Sequence, residues 1–271
     1  MLRRHRWHVA LSIGLVVAVT VGEVLLPFVL GRALNDLLAG SYTWLVVLAS
    51  IGVATMVLST IRRLHDVRLY ARMYEEAGMA ALGREAGLSA STARLNMLRE
   101  VIDFLEFSLP DSVAGVVMFT GTLLFLLQIS APIFVAALVM AAIIVAVYAA
   151  TTGRTLRLNR GYNDEYERQV DVLRRNDLVL ARSHIGLLNR WNIRLSDVDT
   201  VNLAVSLTLA AALQVFAIAY SARYGISEGA VLSLILYVLD FSWSAALLPD
   251  SWQQYLRLRD ITNRLRDTRA E

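Results

Sequence analysis

Residues 109–152 read LPDSVAGVVMFTGTLLFLLQI, then SAP, then IFVAALVMAAIIVAVYAATT. Each outer run is about twenty residues long and almost wholly apolar, the length a helix needs to cross the hydrocarbon of a bilayer. The three residues between them allow only a tight hairpin. The same figure recurs on either side. Apolar runs at 9–38 and 44–61 are joined by 39–43, and runs at 201–222 and 229–248 by 223–228. The remaining joins, 62–108 and 154–200, are long, charged and free of proline. The expected fold is an all-α integral membrane protein of six spans. Three tight hairpins lie on one side and two long helical extensions on the other.

Composition narrows the chemistry. Apolar residues make up 56% of the 271 and mean hydropathy is +0.53, too high for an ordinary soluble domain. A single membrane domain over 1–271 is expected. All 26 basic residues are arginine. Without lysine there is no P-loop, whose lysine reaches the nucleotide phosphates, and no Schiff-base chemistry. Without cysteine there is no disulfide framework or thiolate nucleophile. No catalytic triad, paired-carboxylate spacing or metal motif occurs, so neither enzyme activity nor a cofactor is expected.

The arginines set the orientation. Arg3, Arg4 and Arg6 precede the first span, and others fill both long joins and 257–269, whereas only Arg32 and Arg223 fall beside the short hairpins. Positive charge stays on the cytoplasmic side. Both termini and both extensions are therefore expected in the cytoplasm, in the cell (inner) membrane. The arginines are dispersed among acids, which gives no case for nucleic-acid binding. The opening apolar run is too long for a signal peptide and is read as a retained span.

The extensions read as helices. In the second, Val170, Leu173, Leu178, Ala181, Ile185 and Leu188 fall on one side of a 3.6-residue helix. Such a stripe outside the bilayer needs a partner, either the other extension or a second subunit. Glycines suit places where the chain turns. Gly78, Gly83 and Gly87 mark one tip, and Ser183-His184-Ile185-Gly186 the other.

The first span carries Leu26-Pro27-Phe28, then Gly31, Leu34 and Asp36. The last region carries Ile226-Ser227-Glu228-Gly229-Ala230, then Tyr237, Leu247-Leu248-Pro249 and Leu265. With these runs and this spacing the chain resembles the six-helix transmembrane domain of ABC exporters. The resemblance implies a dimer with the fourth and fifth spans crossing to the partner, and a central cavity lined partly by the first and sixth spans. It also implies short coupling helices near 79–85 and 182–190, so that Met79, Arg84, Glu85, Arg182, His184 and Ile185 are candidates for docking a partner. In the family the ATPase domain follows the sixth span. Here the chain stops at Glu271, so an ATPase is expected on a separate chain, or none at all. The family's "LP-x-x-F-F" stretch is not recognisable around 87–98.

Ionisable groups within a span cost at least about 2.5–3.5 kcal/mol at its centre and default to functional candidates. Glu23 lies near the middle of the first span with Thr20 on its face. Asp240 lies mid-way along the sixth, on a stripe of Ser233, Tyr237, Asp240 and Ser244 bordered by Trp243. This polar seam is read as lining a wet cavity, where the carboxyls bind a cationic substrate or a proton. Alternatively each carboxyl hydrogen-bonds a neighbouring helix. Arg32 and Asp36 are expected to pair at i, i+4. His184 is read as a solvated residue. The expected function is a homodimeric transporter moving a small or amphiphilic solute by alternating access, driven by a separate ATPase or by the proton gradient. The alternative is a non-transporting receptor, immunity or scaffold protein.

Overall fold

The computed structural model describes residues 2–82, 88–175 and 177–245. Expectations placed on Gly83, Arg84, Glu85, Gly87, Leu247, Leu248, Pro249 and Leu265 lie outside the described residues. Within them the chain is helical almost throughout: α1 (Leu2–Leu38), α2 (Thr43–Leu82), α3 (Leu88–Asp103), α4 (Leu109–Ile129), α5 (Ala131–Glu167), α6 (Gln169–Arg174) and α7 (Leu178–Tyr224). An eighth helix, α8, spans Glu228–Ala245. Among the described residues six helices are long and apolar enough to cross a membrane. The first five spans of the sequence reading fall within them, and the sixth does so as far as Ala245, its last three residues lying outside the described ones; several helices run well beyond the hydrocarbon.

The turns explain where the helices stop. Gly40 and Gly225 sit at φ +77° and +63°, left-handed conformations that glycine adopts without a steric cost. After Gly40, the Asp36 carboxylate accepts the Trp44 backbone N–H at 3.1 Å and the Ser41 hydroxyl at 3.3 Å. Asp36 thus caps α2 rather than pairing with Arg32. Arg32 lies instead over the rings of Phe28 and Trp44, at 5.3 and 6.0 Å. The expected i, i+4 pair gives way to two bonds to the turn and a cation–π contact. Between α3 and α4, Phe104–Ser108 form a π-helical segment. Pro110 follows at once; it lacks an N–H and crowds the preceding turn, which wider local winding accommodates.

The second extension is not one helix. It breaks between α6 and α7, where Asp177 Oδ1 accepts the N–H groups of Val179 at 2.8 Å and Leu180 at 3.2 Å. The stripe from Val170 to Leu188 therefore lies on two helices, and the chain reverses between α6 and α7 rather than at 182–190. Asp177→Ala is expected to cost the start of α7 about 1 kcal/mol. Faster amide exchange confined to Val179 and Leu180 would register it; unchanged exchange there would contradict the cap.

The chain forms two compact units, Met1–Phe134 with Gln214–Glu271, and Val135–Leu213. In the first, Val16, Val24 and Val29 of α1, Leu126 of α4, and Leu234, Val238 and Phe241 of α8 are buried. Aromatic rings knit these helices: Phe125 stacks on Tyr237 at 5.0 Å, Phe119 on Phe241 at 5.1 Å, and Phe28 tilts against Phe125 at 5.5 Å. A second cluster of Leu69, Tyr70, Met73 and Ile102 joins α2 to α3, with Val9 and Leu105 packed against it. In the second unit, Gly161 lets the Trp191 ring approach the α5 backbone, and Asn202 donates to Thr151 at 3.0 Å.

Candidate functional site

The candidate site is built from α1 and α8, and the first determinant is Pro27. It lies inside α1, where its missing N–H leaves the Glu23 carbonyl, four residues earlier, without its helical bond. Helix α8 packs against this turn with two donors: the Ser233 hydroxyl donates to the Pro27 carbonyl at 2.7 Å, and the Tyr237 hydroxyl to the Val24 carbonyl at 2.8 Å. One turn further out, Gly31 and Gly229 bring the two backbones together, so closely that a Cβ on either would overlap the other's carbonyl. Asn35 completes the seam. Its Oδ1 accepts the Gly229 N–H at 2.9 Å, and its Nδ2 donates to Ser227 at 3.3 Å.

These pairings run antiparallel and fix the register. Continued by one turn of α8, it carries Asp240 to the level of Thr20 and Glu23. The two carboxylates are near enough for the charge of Glu23 to act on Asp240, and Arg62 of α2 is the cation whose charge reaches Glu23. Asp240 is half-buried and Glu23 stands on the exposed side of α1, while Thr20 is buried. Trp243 is 62% exposed.

The polar stripe is therefore divided in its roles. Ser233, Tyr237 and Ser244 do not line a wet space, contrary to the reading of the pattern. All three are buried; the first two satisfy α1 carbonyls, and Ser244 donates within its own helix to Phe241 at 3.0 Å. Asp240 and Glu23 remain, with Trp243 beside them on the accessible side. Two carboxylates offer only acceptors when ionised. Close together in a poorly hydrated place, they repel unless a cation or proton joins them.

The docking candidates also separate. Met79 and Ile185 are exposed, as is Arg182. His184 is not: it is 5% exposed, and its Nδ1 meets Glu165 Oε1 at 2.6 Å. Glu165 also accepts from Arg168 at 3.1 Å. This buried hydrogen-bonded pair ties α7 to α5, so the expectation of a solvated or partner-docking His184 is corrected. Residues 182–190 lie within α7. The reversal is made by α6 and the turn after it, where Val170, Leu173, Leu178 and Val179 are exposed.

Sequence reasoning missed three features. Asn35 was passed over because nothing local marks its partner, nearly two hundred residues away. Arg62 looked like an ordinary flanking charge. The third feature is a polar layer at the α1–α2 contact: His5 Nε2 meets Glu76 at 3.1 Å, His8 stacks on His65 at 6.2 Å, and His65 Nδ1 meets Asp66 at 3.2 Å. Its members are scattered over seventy residues, so no spacing betrays it. Among the described residues no three such side chains converge as ligands for a metal ion.

No characterised protein matches the chain closely. Residues 1–229, however, match the family described as the ABC transporter transmembrane region. Together with the six membrane-length helices, that match makes this chain a multi-pass membrane protein belonging to the ABC transporter transmembrane family.

Proposed function

We propose that the chain is the membrane subunit of a homodimeric transporter in the inner membrane, with both termini in the cytoplasm. It moves a small or amphiphilic solute by alternating access, and Glu23 and Asp240 hold the proton, or a cationic group of the solute, that crosses with it. The observation that carries this reading is their juxtaposition: the first and last described helices each bring one carboxylate to one level of the membrane. Nothing about a closed scaffold calls for two acidic groups there, and each would add a cost of at least about 2.5 kcal/mol. Membership of a transporter family supports the same reading, as does the division of the chain into two separately packed units, which suits the exchange of α5 and α7 between subunits.

A separate ATPase is the second reading for the energy source, favoured by the exposed apolar residues Leu173, Leu178 and Val179 at the reversal between α6 and α7. The test is proton uptake into proteoliposomes under an imposed pH gradient, read with trapped pyranine. Glu23→Gln and Asp240→Asn are each expected to lower uptake at least about tenfold, the weight of one lost charged contact. Uptake indifferent to both would reject proton coupling. Co-purification of an ATPase subunit from mild detergent, with ATP-dependent transport, would favour the second reading.

A further inference from the structure

Helices α5 and α7 run antiparallel, and three contacts fix their register: Glu165 with His184 at 2.6 Å, Gly161 with the Trp191 ring, and Thr151 with Asn202 at 3.0 Å. Around the middle contact stand four arginines, Arg157 and Arg160 of α5 and Arg190 and Arg194 of α7, all exposed. Each residue advances a helix by about 100°. Counted from Gly161, Arg157 and Arg160 lie about 40° and 100° back around α5; counted from Trp191, Arg194 and Arg190 lie about 60° and 100° back around α7. Backward rotations on two antiparallel helices that face each other open toward the same side of the pair. The four arginines therefore share one side, within about 8 Å of height. The other side carries Tyr162 and Tyr166, stacked at 6.1 Å.

None of the four is ion-paired among the described residues. Arg157 Nε donates to the Gly153 carbonyl of its own helix at 3.3 Å, and Arg194 lies over the Trp191 ring at 5.6 Å. Asp164 and Asp197 fall on the same side at the two ends of the cluster, so four positive charges face two negative ones. The height of the cluster selects its ligand. The apolar run of α5 ends at Thr152, which puts Arg157 about 8 Å beyond it, in the headgroup layer that borders the hydrocarbon. Above the arginines the same side is apolar. Ala150, Ala146 and Val139 of α5 and Val201 and Ala212 of α7 follow Arg157 and Arg194 at steps of four, seven and eleven residues, and all are exposed.

We propose that this side of the α5–α7 pair binds an anionic phospholipid, with its phosphate among Arg157, Arg160, Arg190 and Arg194 and its chains along the small apolar residues above. Guanidinium groups match phosphate oxygens two bonds at a time. A zwitterionic lipid brings a cation of its own to the same place and gains less. A two-fold contact centred here would set the arginines of one copy against those of the other, which disfavours a second chain as the occupant.

Native mass spectrometry of the full chain in mild detergent tests this, with titration of phosphatidylglycerol and of phosphatidylcholine carrying the same chains. Phosphatidylglycerol binds tighter by at least about fivefold, the weight of one arginine at an anionic surface. Arg157→Gln and Arg194→Gln each weaken it about fivefold, and the double variant about twenty-fivefold. Arg174→Gln, exposed on α6 away from the cluster, is the unchanged control. Inorganic phosphate at the lipid's concentration leaves the lipid in place, since it has no chains to lay on the apolar residues. Equal binding of the two lipids, wild-type affinity in the double variant, or displacement by inorganic phosphate would each overturn the proposal. So would a dimer lost in the double variant while phosphatidylglycerol stays bound, which would assign this side to a second copy.

Discussion

Gly31→Ala and Gly229→Ala each destabilise the protein by about 3 kcal/mol or more, the upper range for overpacking against atoms that cannot move aside. At Gly31 the added methyl would overlap the Gly229 carbonyl and the Ser233 hydroxyl; at Gly229 it would overlap the Gly31 carbonyl and the Asn35 side chain. The obstruction is backbone on both sides, so no rotamer change relieves it. The two helices must separate, which also stretches the bonds of Ser233 to Pro27 and Tyr237 to Val24. Gly14 is the control. It lies in the same helix with open space at its Cβ position, and Gly14→Ala is expected to be neutral or to gain about 0.5–1 kcal/mol from helix propensity. The folded fraction by fluorescence-detected size exclusion after graded heating separates them. If Gly31→Ala melts with the wild type, α1 and α8 are not as close as described.

The second large effect belongs to the other unit. Glu165→Gln or His184→Leu breaks a pair whose side chains are 11% and 5% exposed. Removing one member of a buried hydrogen-bonded pair costs about 1–3 kcal/mol, because the other loses a partner that water cannot replace. His184 Nε2 already lacks one. Replacing both members by leucine recovers most of the loss, since two apolar groups need nothing from each other. Hydrogen exchange is the measurement: protection falls around Glu165 and His184 in the single variants and returns in the double. The α1 and α8 amides act as the reference. Single variants as protected as the wild type would show that the pair contributes nothing.

Hydropathy and arginine placement made the helix count, the hairpins and the family legible, because a bilayer imposes one length and one charge asymmetry on any sequence that crosses it. The helix breaks were less legible. Asp177 ends a periodic stripe by a side-chain cap, which hydropathy does not record. Glu23 and Asp240 were found as costly charges, but their stripe was misread. Periodicity identifies a polar face without saying whether water or another helix meets it. For Ser233 and Tyr237 the answer lay in the carbonyls of Pro27 and Val24, over two hundred residues earlier in the chain. Asn35 could be given a role only once the register of α1 against α8 was known.

The ties of Ser233, Tyr237 and Asn35 to the α1 backbone also limit how the molecule can move. Sliding α8 along α1 would strand several donors and acceptors in hydrocarbon at once, each at a cost of several kcal/mol. Any rearrangement of the membrane helices must therefore carry α1 and α8 together as a single oar. Glu23 and Asp240 ride on that oar with their separation preserved, so any helix surfaces that part from one another lie elsewhere.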